Sequence, residues 1–411
     1  DSLSYSGRDF TYEIGQIYLL VFLNKFFDLN SLLHILPILF GIVAIILFYL
    51  ILKEFEVTEK EIIFSLILFL ISPLMFYGFT SFTLVSVTLP LTLLTIYLFI
   101  QNKLQYKIIS FVLLFLLPLF SYKALVIVFL FILFYSIKLK NIKQSIFLLI
   151  VSLTSLSVFI IPKLLKFGSE KIDLSSSYLS SLLSDLGGTY GITIFLLILS
   201  FFGLSHLWKE KQKHFYLYLL TFILFILSIF DNFFIIYLDL VIFYLASFGL
   251  SNLIKSIWDS ELIRKLTIIF LIIGLVISSY SSFILLRNAQ PTNELIQSLN
   301  ELKDEKEGVV FSHYSYGIFI NSIANKPNFI DKNSNYVKDA KKREEDMQTL
   351  FYSRNADKSK EIIACKDMKW EALEELFKEI TGNRQEGSER DISLPDLAAV
   401  DYHTQSCPHC R

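Results

Sequence analysis

The sequence predicts an all-α polytopic membrane domain with about ten transmembrane helices, followed by a C-terminal non-cytoplasmic α/β region. Three observations predict this fold class. The chain is 54% hydrophobic, with a mean hydropathy of +0.56, and it is only 18% charged, whereas soluble domains carry about 25% charged residues. Its apolar residues form long runs between short polar loops. Its charges gather at one end, since 40 of the 75 charged side chains lie in 287–411.

The apolar runs have the length of membrane crossings. A hydrocarbon core about 30 Å thick needs roughly 17 to 25 apolar residues per helix, and lipid offers no partner for an unpaired backbone group. The predicted crossings are 31–52, 61–79, 84–101, 107–121, 122–137, 145–163, 189–208, 214–230, 231–250 and 266–286. The fourth and fifth are short, so a re-entrant pair is the alternative to two full crossings there.

The loops between the crossings predict the orientation. Short loops rich in Lys and Arg stay cytoplasmic, and alternate loops from 53–60 onward hold 13 of these residues against 4 in the intervening loops. Residues 1–30, the loop 163–188 and everything after 287 are therefore expected on the non-cytoplasmic side. The bilayer is the predicted partner, and the formal net charge of -1 gives no indication of nucleic acid. High Ile, Phe and Lys usage is typical of an AT-rich prokaryotic genome, which suggests a prokaryotic plasma membrane.

Four regions are expected along the chain. They are a first outward loop with an amphipathic helix (1–30), the transmembrane domain (31–286), a soluble non-cytoplasmic region (287–380), and a linker with an incomplete Cys-x-x-Cys segment (381–411). In the soluble region the pattern predicts a helix at 291–306, a strand at 308–312 and a surface helix at 368–380. The chain begins at Asp1 rather than Met, so truncation at both ends is expected.

The Cys407-Pro-His-Cys410 motif has two interpretations. It resembles the active-site motif of thioredoxin-like oxidoreductases, and it also resembles half of a zinc site. The sequence lacks the helix that should follow in the first case and the further ligands needed in the second. An incomplete or incidental motif is therefore the favoured interpretation.

The N-terminal stretch contains the first candidate site. Asp9 and Glu13 are four residues apart and share a face if this stretch is helical. Carboxylates at a membrane surface can act as a general base or bind a divalent cation such as Mg²⁺ or Mn²⁺, and the neighbouring Arg8 can hold a phosphate. A solvated loop with a helix-capping aspartate is the alternative.

The outward loop before the seventh crossing contains the second candidate site. Three glycines within five residues, two of them Gly187 and Gly188, free the backbone to approach a ligand closely, and Asp185 adds a charge. Tyr190 completes the predicted substrate-binding set. The same glycines also suit the plain end of one helix and the start of the next.

Asp239 is the third candidate, because it lies deep in the ninth crossing. An ionisable group in the hydrocarbon region is costly and by default indicates a cavity or a substrate path. Asp231 and His206 lie near predicted helix ends and are expected to be solvated.

Several of these features together resemble the GT-C superfamily of multi-pass glycosyltransferases, and most closely its prokaryotic oligosaccharyltransferase-like branch. The resemblance rests on the acidic first outward loop, on Ser72-Pro73 through Ser86, on Ser184–Gly191 leading into Phe195–Trp208, and on Leu302 through Gly317. It implies a GT-C-like fold and a polyprenyl-phosphate-linked sugar donor. It also implies that Asp9, or else Glu13, acts as base or binds the metal.

The resemblance implies sugar transfer on the non-cytoplasmic face, in the cell envelope. The tryptophan-rich motif of genuine oligosaccharyltransferases is not found, since Trp208, Trp258 and Trp370 are isolated. That favours a lipid, a glycan or another acceptor over a peptide. The alternative from another class is a non-catalytic membrane scaffold or a transporter of lipid-linked polymers.

Overall fold

The structure is a computed structural model. It describes residues 14–101, 103–162, 165, 182–186, 191–256, 260–288, 291–305, 309–312, 316–331, 340–352 and 398–400. The chain divides into two compact units. One comprises residues 13–289, and the other comprises residues 1–12 with 290–411.

The described part of the first unit is almost entirely helical, with one isolated β-bridge between Leu183 and Ile192. Its helices are α1 (Ile14–Leu23), α2 (Leu29–Glu54), α3 (Glu59–Ile71), α4 (Pro73–Thr80), α5 (Leu84–Ile100), α6 (Leu104–Leu116), α7 (Tyr122–Lys138), α8 (Ile142–Phe159), α9 (Ile194–Leu207), α10 (Phe215–Phe230), α11 (Ile235–Lys255) and α12 (Glu261–Asn288). Three segments, Leu29–Glu54, Asn232–Lys255 and Glu261–Arg287, are long and apolar enough to cross a membrane. The all-α membrane character is therefore confirmed, while the number of crossings stays a prediction.

The predicted second crossing, 61–79, is not one continuous helix. It is broken between α3 and α4 at Ser72, which is extended at φ -62° and ψ 130°. Proline has no backbone N–H and disfavours the helical conformation of the residue before it, so Pro73 ends one helix and opens the next. The carbonyl of Ile71 instead accepts a hydrogen bond from the Ser279 hydroxyl of α12 at 2.6 Å.

Helix α11 lies at the centre of the first unit and α12 lies on its outside. In the most apolar stretch of each segment, 78% of the residues are buried for α11 against 33% for α12. Phe69 of α3 packs between Phe48 of α2 and Phe243 of α11, with ring centroids 5.6 and 5.8 Å apart. Because α12 leaves Phe270 and many other large apolar side chains exposed, its outer face suits contact with lipid.

Helices α9 and α11 approach so closely that their backbones touch. A Cβ atom added at Gly203 would lie 1.8 Å from the carbonyl oxygen of Leu245, and one at Gly249 would lie 2.0 Å from that of Leu199. Small residues permit this approach in membranes, where packing rather than the hydrophobic effect holds helices together. The two glycines therefore fix the position of α9 against the central helix.

The second unit combines helices with a short antiparallel strand pair. Its described elements are α13 (Asn293–Asp304), β1 (Val309–Phe311), a helical turn Gly317–Phe319 that continues as a π-helical turn Ile320–Ala324, α14 (Ala340–Tyr352) and β2 (Ala398–Val400). Val309 pairs with Val400 and Phe311 with Ala398. Leu299, Val310 and Ile320 form its small core. The predicted helix 368–380, Cys407 and Cys410 lie outside the described residues.

We expect Gly249→Ala to lower the thermal stability of the detergent-solubilised protein. Overpacking typically costs about 1–3 kcal/mol, which exceeds the gain of about 1 kcal/mol that alanine brings to a helix interior. Gly78→Ala is the matched control, because the described residue that its added Cβ would meet is Val85, whose flexible side chain lies 3.1 Å away. An unfolding temperature for Gly249→Ala equal to that of the wild type would contradict the close contact.

Candidate functional site

The structure describes some of the predicted site residues and not others. Those outside the described residues are Arg8, Asp9, Glu13, Gly187, Gly188 and Tyr190. Their roles stay predictions. Asp185 and Asp239 are described, and both lie in the first unit.

Asp185 lies in a short 3₁₀ turn, Ser184–Leu186, just before α9. One carboxylate oxygen accepts the backbone N–H of Ile194, in the first turn of α9, at 2.6 Å. The other accepts the hydroxyl of Ser278 on α12. A carboxylate at a helix N-terminus is stabilised by the helix dipole. Asp185 therefore joins the turn before α9 to two helices while its side chain remains exposed.

A cavity of about 420 Å³ lies beside Asp185, between this turn, the start of α9 and the C-terminal part of α12. Ser184, Asp185, Ser278 and Ser281 line it with polar groups, and Phe195, Phe270, Ile273, Gly274, Ile277 and Leu285 supply apolar walls. We call it the Asp185 cavity. Its volume is within the range of about 300–1,000 Å³ that is usual for ligand sites.

Gly274 is needed beside the ring of Phe195. A Cβ atom at this position would lie 2.3 Å from the ring. Phe270, Ile273 and Ile277 are exposed, so the apolar side of the Asp185 cavity opens on the face of α12 that suits lipid. The arrangement can therefore receive a molecule with a polar head and an apolar chain.

Asp239 is fully buried on α11 and contacts the break between α3 and α4. One of its oxygens accepts the Ser72 hydroxyl at 2.7 Å. Its other oxygen has no hydrogen-bond partner among the described residues. A buried polar group without a partner is costly, so the bond to Ser72 is the main compensation that the described residues give this carboxyl.

Two adjacent serines of α12 extend this polar contact toward Asp185. Ser279 donates to the carbonyl of Ile71 at the break, and Ser278 donates to Asp185. The hydrogen bonds thus connect Asp239, the helix break, α12 and the turn that contains Asp185. The sequence analysis missed Ser278 and Ser279. They belong to a group of four serines within 278–282 that stands out in an otherwise apolar helix.

The other two ionisable residues singled out from the sequence lie at helix ends. Asp231 forms an ion pair with Lys123 at 2.5 Å, and its second oxygen accepts the N–H of Phe233 at 2.9 Å. It therefore ties the end of α10 to the start of α7. His206 lies exposed in the last turn of α9.

Within the described residues, no group of three or more His, Cys, Asp or Glu side chains is placed to hold a metal ion. Asp9 and Glu13, the predicted ligands, lie outside them. A role for Mg²⁺ or Mn²⁺ thus remains a prediction.

We expect Ser72→Ala to destabilise the fold. It removes the hydrogen bond to a fully buried carboxyl, and such a loss costs about 1–3 kcal/mol. Ser65→Ala is the matched control, because Ser65 is equally buried on α3 and its hydroxyl has no partner among the described residues. Thermal unfolding in detergent compares the two variants. Equal unfolding temperatures would show that the Ser72 contact contributes nothing.

Two substitutions at Asp185 separate the effect of its hydrogen bonds on stability from the effect of its charge. Asp185→Ala should destabilise the protein by about 0.5–2 kcal/mol, as for a lost helix cap. Asp185→Asn should retain most of the stability, because asparagine also caps helices well. Thermal unfolding of both variants measures this difference. If Asp185→Asn is as unstable as Asp185→Ala, the charge itself holds the loop in place.

No protein-family model matches the sequence, and no curated protein matches it. Two crystal structures of the Archaeoglobus fulgidus oligosaccharyltransferase do have a similar fold. The apo form has a TM-score of 0.54 at 13% identity, covering 89% of this chain and 62% of that one. The form tethered through a disulfide bond to an acceptor peptide containing the NVT sequon has a TM-score of 0.52 at 14% identity, covering 89% of this chain and 61% of that one.

This chain spans less than two thirds of the length of the Archaeoglobus fulgidus protein. At so low an identity, the likeness establishes the fold. The resemblance predicted from the acidic loop, the Ser72-Pro73 segment and the Ser184–Gly191 segment is therefore confirmed at that level. The chain is a membrane protein with the fold of the Archaeoglobus fulgidus oligosaccharyltransferase.

Proposed function

We propose that the protein is a membrane glycosyltransferase that transfers a sugar from a polyprenyl-phosphate-linked donor to an acceptor on the non-cytoplasmic face. The observation that carries the proposal is the oligosaccharyltransferase fold over 89% of the chain. The Asp185 cavity supports it, because that cavity adjoins the outward loop in which the sequence places the substrate-binding residues.

The shape of the Asp185 cavity suits a lipid-linked donor. Asp185, Ser278 and Ser281 line it with polar groups, whereas Phe195 and Phe270 provide apolar surface. A polyprenyl phosphate has the same division, with a charged phosphate on a long apolar chain. The chain would enter from the lipid-facing side of α12, and the phosphate would lie toward the loop.

The chemistry is an inverting displacement at the anomeric carbon. The acceptor oxygen attacks this carbon as the bond to the carrier phosphate oxygen breaks, and the acceptor proton passes to a base. Asp9 or Glu13 takes that proton in the proposal, or the pair holds Mg²⁺ or Mn²⁺. Such a cation, when bound, would neutralise charge on the leaving phosphate.

The phosphate needs support as its charge develops. Arg8 and the backbone of the Asp185 loop, with Gly187, Gly188 and Tyr190, hold it in the proposal. Asp185 itself is negative and already bonded to Ile194 and Ser278. Its role is therefore to set the position of this loop rather than to contact the phosphate.

A lipid, a glycan or another non-peptide molecule is the proposed acceptor. The sequence has no tryptophan-rich recognition motif, and Trp208, the tryptophan within the described residues, packs on Tyr218 with ring centroids 5.5 Å apart. The alternative function is a scaffold or a transporter. A transporter should expose charge along a path, yet Asp239 is fully buried and lines neither the Asp185 cavity nor a smaller cavity of about 240 Å³ between α2, α5, α7, α10 and α11.

Release of the carrier phosphate tests the proposed function. Purified, detergent-solubilised protein is incubated with polyprenyl-phosphate-linked sugars, with and without Mg²⁺ or Mn²⁺. We expect release from the wild type, and a loss of about 10²-fold or more in the Asp9→Ala/Glu13→Ala double variant, the loss typical for removal of a general base.

Glu56→Ala/Glu59→Ala is the control, because it removes two carboxylates from a loop predicted on the opposite face. Unchanged turnover in the Asp9→Ala/Glu13→Ala variant would contradict the assignment of these residues. No release by a folded wild-type protein with any donor would favour the scaffold or the transporter.

A further inference from the structure

A second cavity, of about 240 Å³, lies between α2, α5, α7, α10 and α11. We call it the aromatic cavity, because Phe55, Phe131, Phe134 and Tyr135 contribute to its walls. Aliphatic side chains complete most of the remaining lining. Neither the proposed reaction nor the hydrogen bonds around Asp239 use this space.

One end of the aromatic cavity is cationic. Lys138 ends α7, while Lys213 and His214 directly precede α10. The Lys213 side chain is 71% exposed, so the cavity reaches the protein surface at this end. Within the part of the chain that the structure describes, Lys138 forms no ion pair, and Lys213 meets Glu210 only at 3.6 Å.

Lys138, Lys213 and His214 line the same end of the aromatic cavity and so form one cluster. Burial lowers the pKa of the His214 imidazole first, and the neighbouring Lys213 and Lys138 lower it further, while Glu210 acts in the opposite direction. Both lysines are thus close enough to act on the same ring. A bound anion would relieve their mutual repulsion.

The loops that carry this cluster are also basic. Residues 138–144 and 209–213 hold six lysines and one glutamate. Two further acids near this cavity have partners of their own, since Glu54 accepts a hydrogen bond from Gln101 and Glu61 pairs with Lys255 at 4.0 Å. The balance of charge at this end therefore favours an anionic ligand.

The depth of the aromatic cavity matches one leaflet of a bilayer. Its lining on α7 runs from Lys138 to Ile127, and on α10 from His214 to Leu224. At about 1.5 Å per residue these stretches are each roughly 15 Å long, or half of a hydrocarbon core about 30 Å thick. At the deep end the Tyr237 hydroxyl forms a hydrogen bond with Thr92 at 3.2 Å. An apolar ligand therefore leaves this hydroxyl with a partner.

The volume limits what can enter. At 240 Å³, the space is smaller than the roughly 300–1,000 Å³ that enclose a whole drug-sized ligand. A single hydrocarbon chain fits this narrow space, while its head group remains outside. The cationic cluster lies where that head group would be.

We propose that the aromatic cavity binds one acyl chain of an anionic phospholipid, whose phosphate is held by Lys138, Lys213 and His214. The loops around the cluster are those predicted to be cytoplasmic, so the lipid comes from that leaflet. This site is separate from the Asp185 cavity. The proposal holds whether or not the protein transfers a sugar.

Binding of short-chain lipids to the full, detergent-solubilised protein tests this assignment. Dioctanoyl phosphatidylglycerol is titrated by native mass spectrometry beside dioctanoyl phosphatidylcholine, which has the same chains and no net charge. Inorganic phosphate, with charge and no chain, is the third probe. We expect phosphatidylglycerol to bind at least about tenfold more tightly than phosphatidylcholine, since each basic residue near an anionic head group contributes roughly fivefold.

Charge variants locate the head group. Lys138→Gln/Lys213→Gln should weaken phosphatidylglycerol binding by about tenfold or more. Lys140→Gln/Lys211→Gln is the matched control, because it removes the same charge from the same two loops at positions that do not line the cavity. Equal losses in both variants would overturn the site and indicate only a diffuse basic surface.

A filled cavity locates the acyl chain. Val241→Phe places a larger side chain in the aromatic cavity and should weaken phosphatidylglycerol binding, provided that the variant keeps its thermal unfolding transition. Competition by inorganic phosphate as strong as that by the lipid would overturn the role of the chain. Phosphatidylcholine binding as tight as phosphatidylglycerol binding would overturn the role of the cationic cluster.

Discussion

The hydrogen bond between Ser72 and Asp239 is the contact on which the rest of the first unit depends. It joins the central helix α11 to the point where Pro73 divides the second apolar run into α3 and α4. A break of this kind frees backbone groups that lipid cannot satisfy. Ser279 of α12 meets this need at the carbonyl of Ile71, while Asp239 of α11 accepts the side-chain hydroxyl of Ser72.

The same hydrogen bonds position the proposed site. Because Ser278 and Ser279 are adjacent on α12, one helix contacts both the break and Asp185. Asp185 in turn holds the first turn of α9, whose partner is the central helix. The loop that borders the Asp185 cavity is thus anchored to interior helices, and an anchored loop can hold a reacting phosphate in a fixed position.

The two cavities of this unit differ in ways that suit different ligands. The Asp185 cavity combines hydroxyl and carboxylate groups with an open apolar side, whereas the aromatic cavity is deep, narrow and cationic at its mouth. Asp239 lines neither of them. Its burial is best understood as structural, since a charge that served a substrate path would have to meet that path.

Much of the helical order follows from the sequence because helix formation in lipid depends on local features. Apolar length, prolines and capping residues act within a few positions of each other. The predicted segments 84–101 and 122–137 accordingly match α5 and α7 within a residue, and Thr83 and Ser121 cap these two helices with their side chains. The resemblance in fold was also predicted from the sequence, by the order of weakly specific motifs such as Ser72-Pro73 and Ser184–Gly191.

The sequence also contains a signal for a helix break, Ser72-Pro73. It does not show whether the helix ends there. Proline is tolerated within α2 at Pro37 and within α5 at Pro90, so a proline alone does not decide whether a helix ends. Neighbouring groups decide it, since Ser279 satisfies the carbonyl of Ile71 at the break and Asp239 accepts the Ser72 hydroxyl.

The contacts between distant positions came from the tertiary structure alone. Ser72 and Asp239 are 167 residues apart, and Asp185 and Ser278 are 93 apart. No periodic pattern specifies such pairs, because in lipid the apolar faces of helices are nearly equivalent and packing selects among them. The sequence by itself therefore determined which segments are helical and apolar, while the close fit of small residues such as Gly203 and Gly249 decided which helices meet.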